Sequence, residues 1–113
     1  MKNYIGNDFY CDVALPNKAE LNIELENDFV LAYSHTKPHW PVHIVVVPKK
    51  HIPSFTVRDE GDDEIVAEVL NAVREIARKV ELEKGECRII TNLGNYQDSK
   101  HLHFHVCSGA QLK

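Results

Sequence analysis

The sequence predicts an α+β fold, and three observations support this prediction. At 113 residues the chain has the size of one domain, so we expect residues 1–113 to form a single unit. From about residue 63 to 83, apolar residues recur every three or four positions, which is typical of a helix packed on one side. Short strand-like segments precede and follow this helix in the order β-β-β-α-β-β. This order predicts two layers, a five-stranded antiparallel sheet and one long helix.

Each strand is predicted from a local pattern. Residues 21–26 alternate apolar and polar, and residues 29–33 read as the returning strand of a hairpin after Asn27-Asp28. Residues 43–47, His-Ile-Val-Val-Val, form a strongly β-branched run that is more continuously apolar than the other strands, so we place this strand at the centre of the sheet. Residues 87–91 form a fourth strand after the glycine stop at Gly85. Residues 8–15 indicate only a short packed turn or helix.

Composition narrows the possible partners. The formal net charge is −4 and no block of Lys or Arg occurs, so we expect no nucleic-acid polymer as a partner. No apolar run approaches the length of a membrane span, so we expect no membrane partner. The odd count of 3 cysteines favours a reducing, cytoplasmic setting over a disulfide framework. A single nucleotide remains compatible with this charge.

The last predicted strand, residues 101–107, carries the pattern on which the functional analysis depends. It reads His-Leu-His-Phe-His-Val-Cys, so in a strand His101, His103 and His105 share one face and the apolar residues share the other. Neighbouring imidazoles on that face would lie about 7 Å apart. Such a row is hard to explain by packing, because buried imidazole nitrogens need hydrogen-bond partners.

One use of the row is metal binding. Three neutral imidazoles and a water molecule describe a catalytic zinc site, but the ligands must converge within about 2.0–2.1 Å of the ion. His101 and His105 are too far apart on one strand to share an ion. Two of the three could bind with help from His43 or a carboxylate. No Cys-x-x-Cys or His-Glu-x-x-His motif supports this alternative.

The other use is nucleophilic and acid–base chemistry on phosphorus. An imidazole is a good nucleophile and proton carrier near neutral pH. The middle histidine would form a covalent bond to phosphorus, and its neighbours would fix its tautomer and bind phosphate oxygens. Asn92 and the polar loop that extends to Ser99 would donate to those oxygens. This chemistry needs several imidazoles close together without convergence on a point.

These residues resemble a known family. The segment 101–107 is similar to the signature of the histidine triad nucleotide hydrolases and transferases. Residues 43–52 are similar to the strand of that family that begins and ends with histidine around a Val-Ile-Pro-Lys core. Asn92 and Gln97 fall near its phosphate-loop positions. The resemblance covers about residues 8–109 and is closest to the Hint-like branch, whose members are small homodimers with a HIT-like fold.

The resemblance implies a role for each matching residue. His103 would attack the α-phosphorus of a nucleotide, and His105 would bind a phosphate oxygen and assist the leaving group. His101 and His43 would orient the nucleophile. The resemblance further implies that substrate is bound by Asn92, Gln97, Ser99, Tyr33 and Val45. Tyr33 and Val45 also fit a purely structural role in the core, and His51 fits a structural or surface role.

The sequence departs from the family pattern at several positions. His35 stands where the family has a ribose-binding acid, and Asp98 stands where many members have a serine near the phosphate. The loop between Asn92 and His101 is about two residues shorter than in Hint-like members. Some members carry a structural zinc on a Cys-x-x-Cys motif near the N-terminus. Here Asp8 replaces one of those cysteines and only Cys11 remains, so we expect no structural zinc and no cofactor.

The resemblance therefore implies a nucleotide hydrolase that cleaves a nucleoside phosphoramidate or a dinucleoside polyphosphate through a nucleotidyl-histidine. The expected partner is a purine nucleotide or nucleotide conjugate, and the expected assembly is a homodimer in which the long helix contributes to the interface. Two alternatives stay open. One is a nucleotide-binding or scaffold protein with weak catalysis, which the departures at His35 and Asp98 favour. The other is a metal-dependent enzyme that uses the same histidines.

Overall fold

Five strands and one long helix make up the fold. The computed structural model describes residues 8–57 and 59–112. Residues 1–7, 58 and 113, which the single-domain prediction also includes, lie outside the described residues. The strands are β1 (Ile23–Glu26), β2 (Val30–Ser34), β3 (Val42–Pro48), β4 (Arg88–Ile90) and β5 (Phe104–Ser108), and the helix α1 spans Asp63–Lys84. All strand pairs are antiparallel, and the strand order is β1-β2-β3-β5-β4.

The predicted central strand is confirmed. β3 lies between β2 and β5 and is buried on both faces. Ile44 and Val46 belong to the core against α1, and Val45 and Val47 belong to a second apolar cluster. Burial on both faces favours apolar side chains that point to either side, which explains the unbroken β-branched run from Ile44 to Val47.

The long helix is confirmed almost to the residue. Its buried positions recur at helical spacing and pack on the sheet, and they are Val69, Ala72, Val73, Ile76 and Val80. The helix ends at Gly85, whose φ of 81° lies in the left-handed region that favours glycine. Among the described residues, no helix is long and apolar enough to cross a membrane.

The histidine segment differs from the prediction of a continuous strand. β5 begins only at Phe104, and His101 and His103 lie in irregular backbone before it. The cause is the loss of strand partners. β4 ends at Ile90, opposite His105, and Pro48 at the end of β3 has no N–H to donate.

The predicted alternation still holds across this irregular segment. Leu102, Phe104 and Val106 all belong to the core under α1. Polar groups take the place of ladder hydrogen bonds: the Thr91 hydroxyl donates to the His103 carbonyl over 2.8 Å, and the Leu102 N–H donates to the Ile52 carbonyl over 2.6 Å. The histidines are thereby held on the opposite side of the segment from α1.

A short helical turn covers part of the sheet face opposite α1. This π-helical turn, Tyr10–Ala14, falls within the residues predicted as a packed turn or helix. Tyr10 and Ala14 are buried against Leu31, Tyr33 and other apolar residues of β2 and β3. The turn therefore lies on the same side of the sheet as the histidines.

Candidate functional site

A cavity of about 260 Å³ opens between the N-terminal turn and the histidine segment. Aromatic side chains form part of its wall, polar and charged side chains surround its mouth, and two of the three motif histidines reach it. The lining residues are Phe9, Tyr10, Tyr33, His35, Thr36, Lys37, Asp98, Ser99, His103 and His105. A larger cavity of about 490 Å³ lies against α1 and β4 and contains no imidazole.

His103 is held in one tautomer by its own backbone. Its Nδ1 lies 2.7 Å from the carbonyl oxygen of His101. Because a carbonyl can only accept, Nδ1 carries the proton and Nε2 keeps its lone pair. The ring is 5% exposed, and the Tyr10 ring packs against it with 4.9 Å between centroids. Nε2 is therefore the nitrogen that His103 can offer to a ligand as a nucleophile.

His105 is oriented by a relay that begins at the backbone of His39. The His39 N–H donates to Nδ1 of His43 over 3.0 Å, so the proton of His43 resides on Nε2. His43 Nε2 lies 2.8 Å from His105 Nδ1 and donates to it. The remaining proton of His105 is consequently on Nε2. His105 thus offers a donor beside the lone pair of His103.

Burial keeps these three imidazoles neutral. Burial and the neighbouring imidazoles lower the pKa of His105 to about 3. Burial, together with His35 and His39, lowers the pKa of His43 to about 4. Burial also lowers the pKa of His103, although the hydrogen bond to the His101 carbonyl opposes the shift. The tautomers given above are therefore the relevant forms at neutral pH.

The predicted substrate-binding residues divide into three groups. Tyr33 and Ser99 line the cavity, and Ser99 Oγ accepts the Phe9 N–H over 3.0 Å, which leaves its hydroxyl proton to donate. Val45 is fully buried opposite His105 on β3 and is absent from the cavity lining. Asn92 is half-buried after β4 and, among the described residues, is also absent from that lining.

Gln97 has a different partner from the predicted phosphate. Its side-chain amide donates to the Pro53 carbonyl over 2.8 Å, and the side chain is 5% exposed. This bond joins the loop after β4 to the segment after β3. The observed geometry supports an anchoring role for Gln97, and its contact with substrate stays a prediction.

Four of the lining residues were not assigned to the site from the sequence: Phe9, Tyr10, Thr36 and Lys37. The adjacent aromatic pair Phe9-Tyr10 in a short apolar segment was the available signal. Its placement depends on contacts with residues about 90 positions away, such as the 90-residue separation between Phe9 and Ser99. The departures His35 and Asp98 both line the cavity, with Lys37 beside His35.

A second cluster lies behind His103, at the first histidine of the motif. One ligand atom from each of Asp8, Cys11, His51 and His101 lies within 4.8 Å of all the others. His101 Nδ1 is 3.1 Å from Asp8 Oδ2 and 3.3 Å from Cys11 Sγ, and the same carboxylate oxygen contacts His51 Nδ1. Only one of the three motif histidines takes part, which agrees with the geometric argument against convergence of the row.

The donor set of this cluster fits a zinc ion. His101 Nε2 donates to the Pro48 carbonyl over 2.8 Å, so Nδ1 presents a lone pair to the Asp8 carboxylate. A proton or a metal ion between the two atoms would satisfy both of them. Imidazole, thiolate and carboxylate are the ligand types of Zn²⁺, at about 2.0–2.3 Å. The expectation of no structural zinc depended on a missing second cysteine, and Asp8 supplies a ligand atom in its place.

The protonation of Cys11 depends on this environment. Burial and the neighbouring Asp8 raise the pKa of its thiol to about 11. The His51 side chain, predicted as structural or surface, is exposed and yet belongs to the cluster. Sequence spacing placed Asp8 and Cys11 at the positions of the Cys-x-x-Cys motif. It gave no signal that His51 and His101 join them, because these members come from other chain segments.

The fold and the paired histidine clusters define a protein of the histidine triad class. The family model described as the HIT domain matches residues 17–112, so the chain belongs to the HIT family. It is 31% identical over 87 residues to an uncharacterized HIT-like protein of Helicobacter pylori, a match that covers 75% of this chain and 81% of that protein.

Solved structures agree with this assignment. A histidine triad protein from Clostridium difficile is 30% identical with a TM-score of 0.75, over 97% of this chain and 96% of that chain. A HIT family hydrolase from Legionella pneumophila is 26% identical with a TM-score of 0.76, over 95% and 96% of the respective chains. The fold prediction is thereby confirmed.

Proposed function

We propose that this protein is a nucleotide hydrolase or transferase that acts at the α-phosphorus of a nucleoside phosphoramidate or a dinucleoside polyphosphate. The observation that carries this proposal is the tautomer of His103, whose Nδ1 donates to the His101 carbonyl over 2.7 Å and whose Nε2 is free to attack. The similarity to a HIT family hydrolase supports the same class of reaction.

In the first step, His103 Nε2 attacks the α-phosphorus. A P–N bond to His103 forms and the bond to the leaving group breaks. The leaving group keeps the electron pair and accepts a proton from a water molecule as that bond breaks, and the hydroxide that remains passes to solvent. The positive charge that develops on the imidazole is stabilised by the His101 carbonyl oxygen at Nδ1. His105 Nε2–H and the Ser99 hydroxyl donate to the phosphate oxygens from the cavity wall.

In the second step, water attacks the same phosphorus and releases the nucleoside monophosphate. The P–N bond breaks, its electron pair returns to His103 Nε2, and the proton of the water passes to solvent. The neutral resting state of His103 follows from its lowered pKa, which burial causes. The nucleophile is therefore regenerated without a further cofactor.

The remaining walls fit a nucleoside. Phe9, which is half-buried, offers an aromatic ring to a purine base beside the buried Tyr10 and Tyr33, and His35 replaces the acid expected at the ribose. Asp8, Cys11, His51 and His101 would hold a zinc ion. When bound, that ion supplies a structural crosslink between chain segments.

The experiment measures turnover and the covalent adduct together. The protein is incubated with an adenosine phosphoramidate and with a dinucleoside polyphosphate, and AMP release and an acid-labile nucleotidyl adduct are followed by mass spectrometry. His103→Ala should abolish both, and Leu82→Ala, at a position of α1 that is 79% exposed, should change neither. Turnover that survives His103→Ala would falsify the assignment of the nucleophile.

A nucleotide-binding protein with weak catalysis is the second candidate. The observation in its favour is Asp98, whose carboxylate lines the cavity where phosphate would bind. Nucleotide binding without turnover of either substrate would select this candidate over the hydrolase.

We further propose a homodimer that forms through β4 and α1. β4 is an edge strand of only three residues, and Ile89 on it is 52% exposed. Leu70 and Ile89 line the larger cavity along α1, so an apolar surface continues from the helix to the sheet edge. Ile89→Glu should produce monomers in light scattering. Ile23→Glu on β1, the opposite edge strand, is the matched control, and dimers that persist in Ile89→Glu would refute this interface.

We also propose a reducing, cytoplasmic setting, which the free state of Cys11, Cys87 and Cys107 supports.

A further inference from the structure

The N-terminal turn contributes residues both to the metal-ligand cluster and to the wall of the cavity next to His103. Asp8 and Cys11 contribute to the metal-ligand cluster, and the two residues between them, Phe9 and Tyr10, line the nucleotide cavity. Asp8 uses its two oxygens differently: Oδ1 accepts the Cys11 N–H over 2.9 Å, and Oδ2 faces His51 and His101. Oδ1 therefore stabilises the backbone of the turn, and Oδ2 belongs to the metal-ligand cluster.

The contacts of this turn reach the nucleophile directly. The Tyr10 ring lies 4.9 Å from the His103 ring and 5.6 Å from the His101 ring, measured between centroids. The Phe9 N–H donates to Ser99 Oγ, which also lines the cavity. Any force that holds Asp8 and Cys11 in place consequently holds the aromatic wall against His103.

The cluster also joins segments that are remote in sequence. Asp8 is separated from His51 by 43 positions and from His101 by 93 positions. A divalent ion bound by all four ligands would crosslink the turn, the segment after β3 and the histidine segment. His101 is the shared element, because its carbonyl fixes the tautomer of His103 while its Nδ1 belongs to the cluster.

We propose that zinc bound by Asp8, Cys11, His51 and His101 orders the Phe9–Tyr10 turn over His103 and so increases the affinity of the cavity for a nucleoside monophosphate. The nucleotide part of this inference depends on the proposed function. Because binding linkage is reciprocal, the nucleotide increases zinc affinity by the same factor. Coupling of this type usually amounts to about 5- to 150-fold.

The variant Asp8→Asn separates the two roles of Asp8. An asparagine retains an Oδ1 that can accept the Cys11 N–H, but it lacks the charged Oδ2 that completes the ligand set. Asp12→Asn is the matched control, because Asp12 lies exposed on the same turn and outside the cluster. Circular dichroism of each variant verifies the fold.

The experiment uses three measurements on full-length protein with and without zinc chloride. They are zinc stoichiometry by mass spectrometry of the metal, amide hydrogen exchange over residues 9–15, and the Kd of AMP by calorimetry. In the unmodified protein and in Asp12→Asn, we expect one zinc per chain, exchange slowed at least about fivefold by zinc, and AMP bound at least about fivefold more tightly with zinc. Asp8→Asn should lose all three effects.

The outcomes distinguish the inference from the proposed function. If zinc binds but changes neither exchange nor the Kd of AMP, the inference is wrong and the proposed function stands. The inference is equally wrong if no stoichiometric zinc binds. If zinc slows exchange while AMP binds in neither state, the ordering of the turn is supported and the nucleotide site is refuted.

Discussion

The histidines at the cavity, His43, His103 and His105, differ from those of the metal-ligand cluster, His51 and His101, in what their ring nitrogens contact. Beside the cavity, defined partners fix the imidazoles of the relay and of His103. His103 Nδ1 binds a carbonyl, and His105 Nδ1 binds His43, whose own Nδ1 accepts the His39 N–H. The remaining nitrogens of His103 and His105 differ, since one keeps a lone pair and the other keeps a proton. At the metal-ligand cluster, His51 and His101 instead present Nδ1 atoms to a carboxylate and a thiol.

In both clusters, the partner of one ring nitrogen decides the chemistry of the other. A backbone carbonyl binds Nδ1 of His103 but Nε2 of His101. As a result, the two rings turn opposite nitrogens toward their sites, although only Leu102 separates them in the chain. The proposed nucleophile, His103, and the proposed zinc ligand, His101, are therefore close in the chain but have different hydrogen-bond partners.

The largest effects should come from two substitutions, one that removes turnover but not zinc binding and one that removes zinc binding but not turnover. His103→Gln should lower kcat by at least about a thousandfold, because it removes the nucleophile, and should leave zinc stoichiometry unchanged. His51→Gln should lower zinc affinity by more than about a hundredfold, because it removes a direct ligand. Its effect on kcat should be much smaller. Steady-state kinetics and metal titration on both variants check this prediction.

The distinction between the clusters fails if the two variants behave alike. Loss of zinc binding in His103→Gln would show that the nucleophile is itself a ligand. A thousandfold loss of turnover in zinc-loaded His51→Gln would show that the metal-ligand cluster takes part in the chemical step.

The next effect concerns the relay to His105. His43→Leu removes the donor to His105 Nδ1, because leucine has no N–H to offer. His105 can then move its proton to Nδ1 and lose the Nε2–H that we propose faces phosphate. An unsatisfied buried hydrogen-bonding group costs about 1–3 kcal/mol, which corresponds to about a 5- to 150-fold loss in kcat/KM. Initial-rate measurements with an adenosine phosphoramidate test this, and unchanged kcat/KM would remove His43 from the orienting relay.

The same pair predicts how stability depends on pH. The pKa values of His43 and His105 are lowered from 6.5 to about 4 and about 3, mainly by burial. Below pH 6.5, these two imidazoles therefore bind protons in the unfolded chain but not in the folded chain. The free energy of unfolding decreases as the pH falls from 6.5 toward 4. Above pH 6.5, both imidazoles are neutral in the folded and the unfolded chain, and this loss of stability does not occur.

Urea unfolding between pH 5 and 7 measures this dependence. We expect His43→Gln to take up about one proton fewer on unfolding than the unmodified protein near pH 5, and we expect this difference to become small at pH 7. Identical slopes for the two proteins would show that His43 titrates normally in the folded state.

The elements that were predicted correctly are those whose signals are local. The spacing of Val69, Val73, Ile76 and Val80 defines α1 without reference to the rest of the chain. The β-branched run of β3 likewise predicts a strand that is buried on both faces, without reference to other segments. The predicted start of β5 was wrong, because the length of a strand depends on the neighbouring strands that pair with it. The hydrogen-bond ladder with β4 and with β3 ends before His103.

The site was predictable where the motif itself carries the chemistry. His103 and His105 reach the cavity as expected, and the HIT resemblance is confirmed. Two features were not predictable, since both depend on how remote segments meet. They are the place of Phe9 and Tyr10 in the cavity wall and the place of His51 beside Asp8 and Cys11. The hydrogen bond that gives Gln97 an anchoring role, to Pro53 44 positions away, is equally invisible in sequence.

The weakest effect concerns the charge at the cavity mouth. Asp98 is exposed and lines the cavity with Lys37 and Ser99, so its carboxylate repels a bound phosphate through solvent. Exposed charge pairs contribute about 0.2–1 kcal/mol, so Asp98→Ser should tighten AMP binding by no more than about fivefold. Salt screens such interactions, and the gain should shrink at an ionic strength of about 1 M, where the Debye length is about 3 Å. Asp12→Ser is the control, since Asp12 is exposed but outside the cavity lining. Equal Kd values for the unmodified protein and Asp98→Ser at low salt would show that Lys37 already offsets this charge, and would place the phosphate closer to His105 than to the mouth.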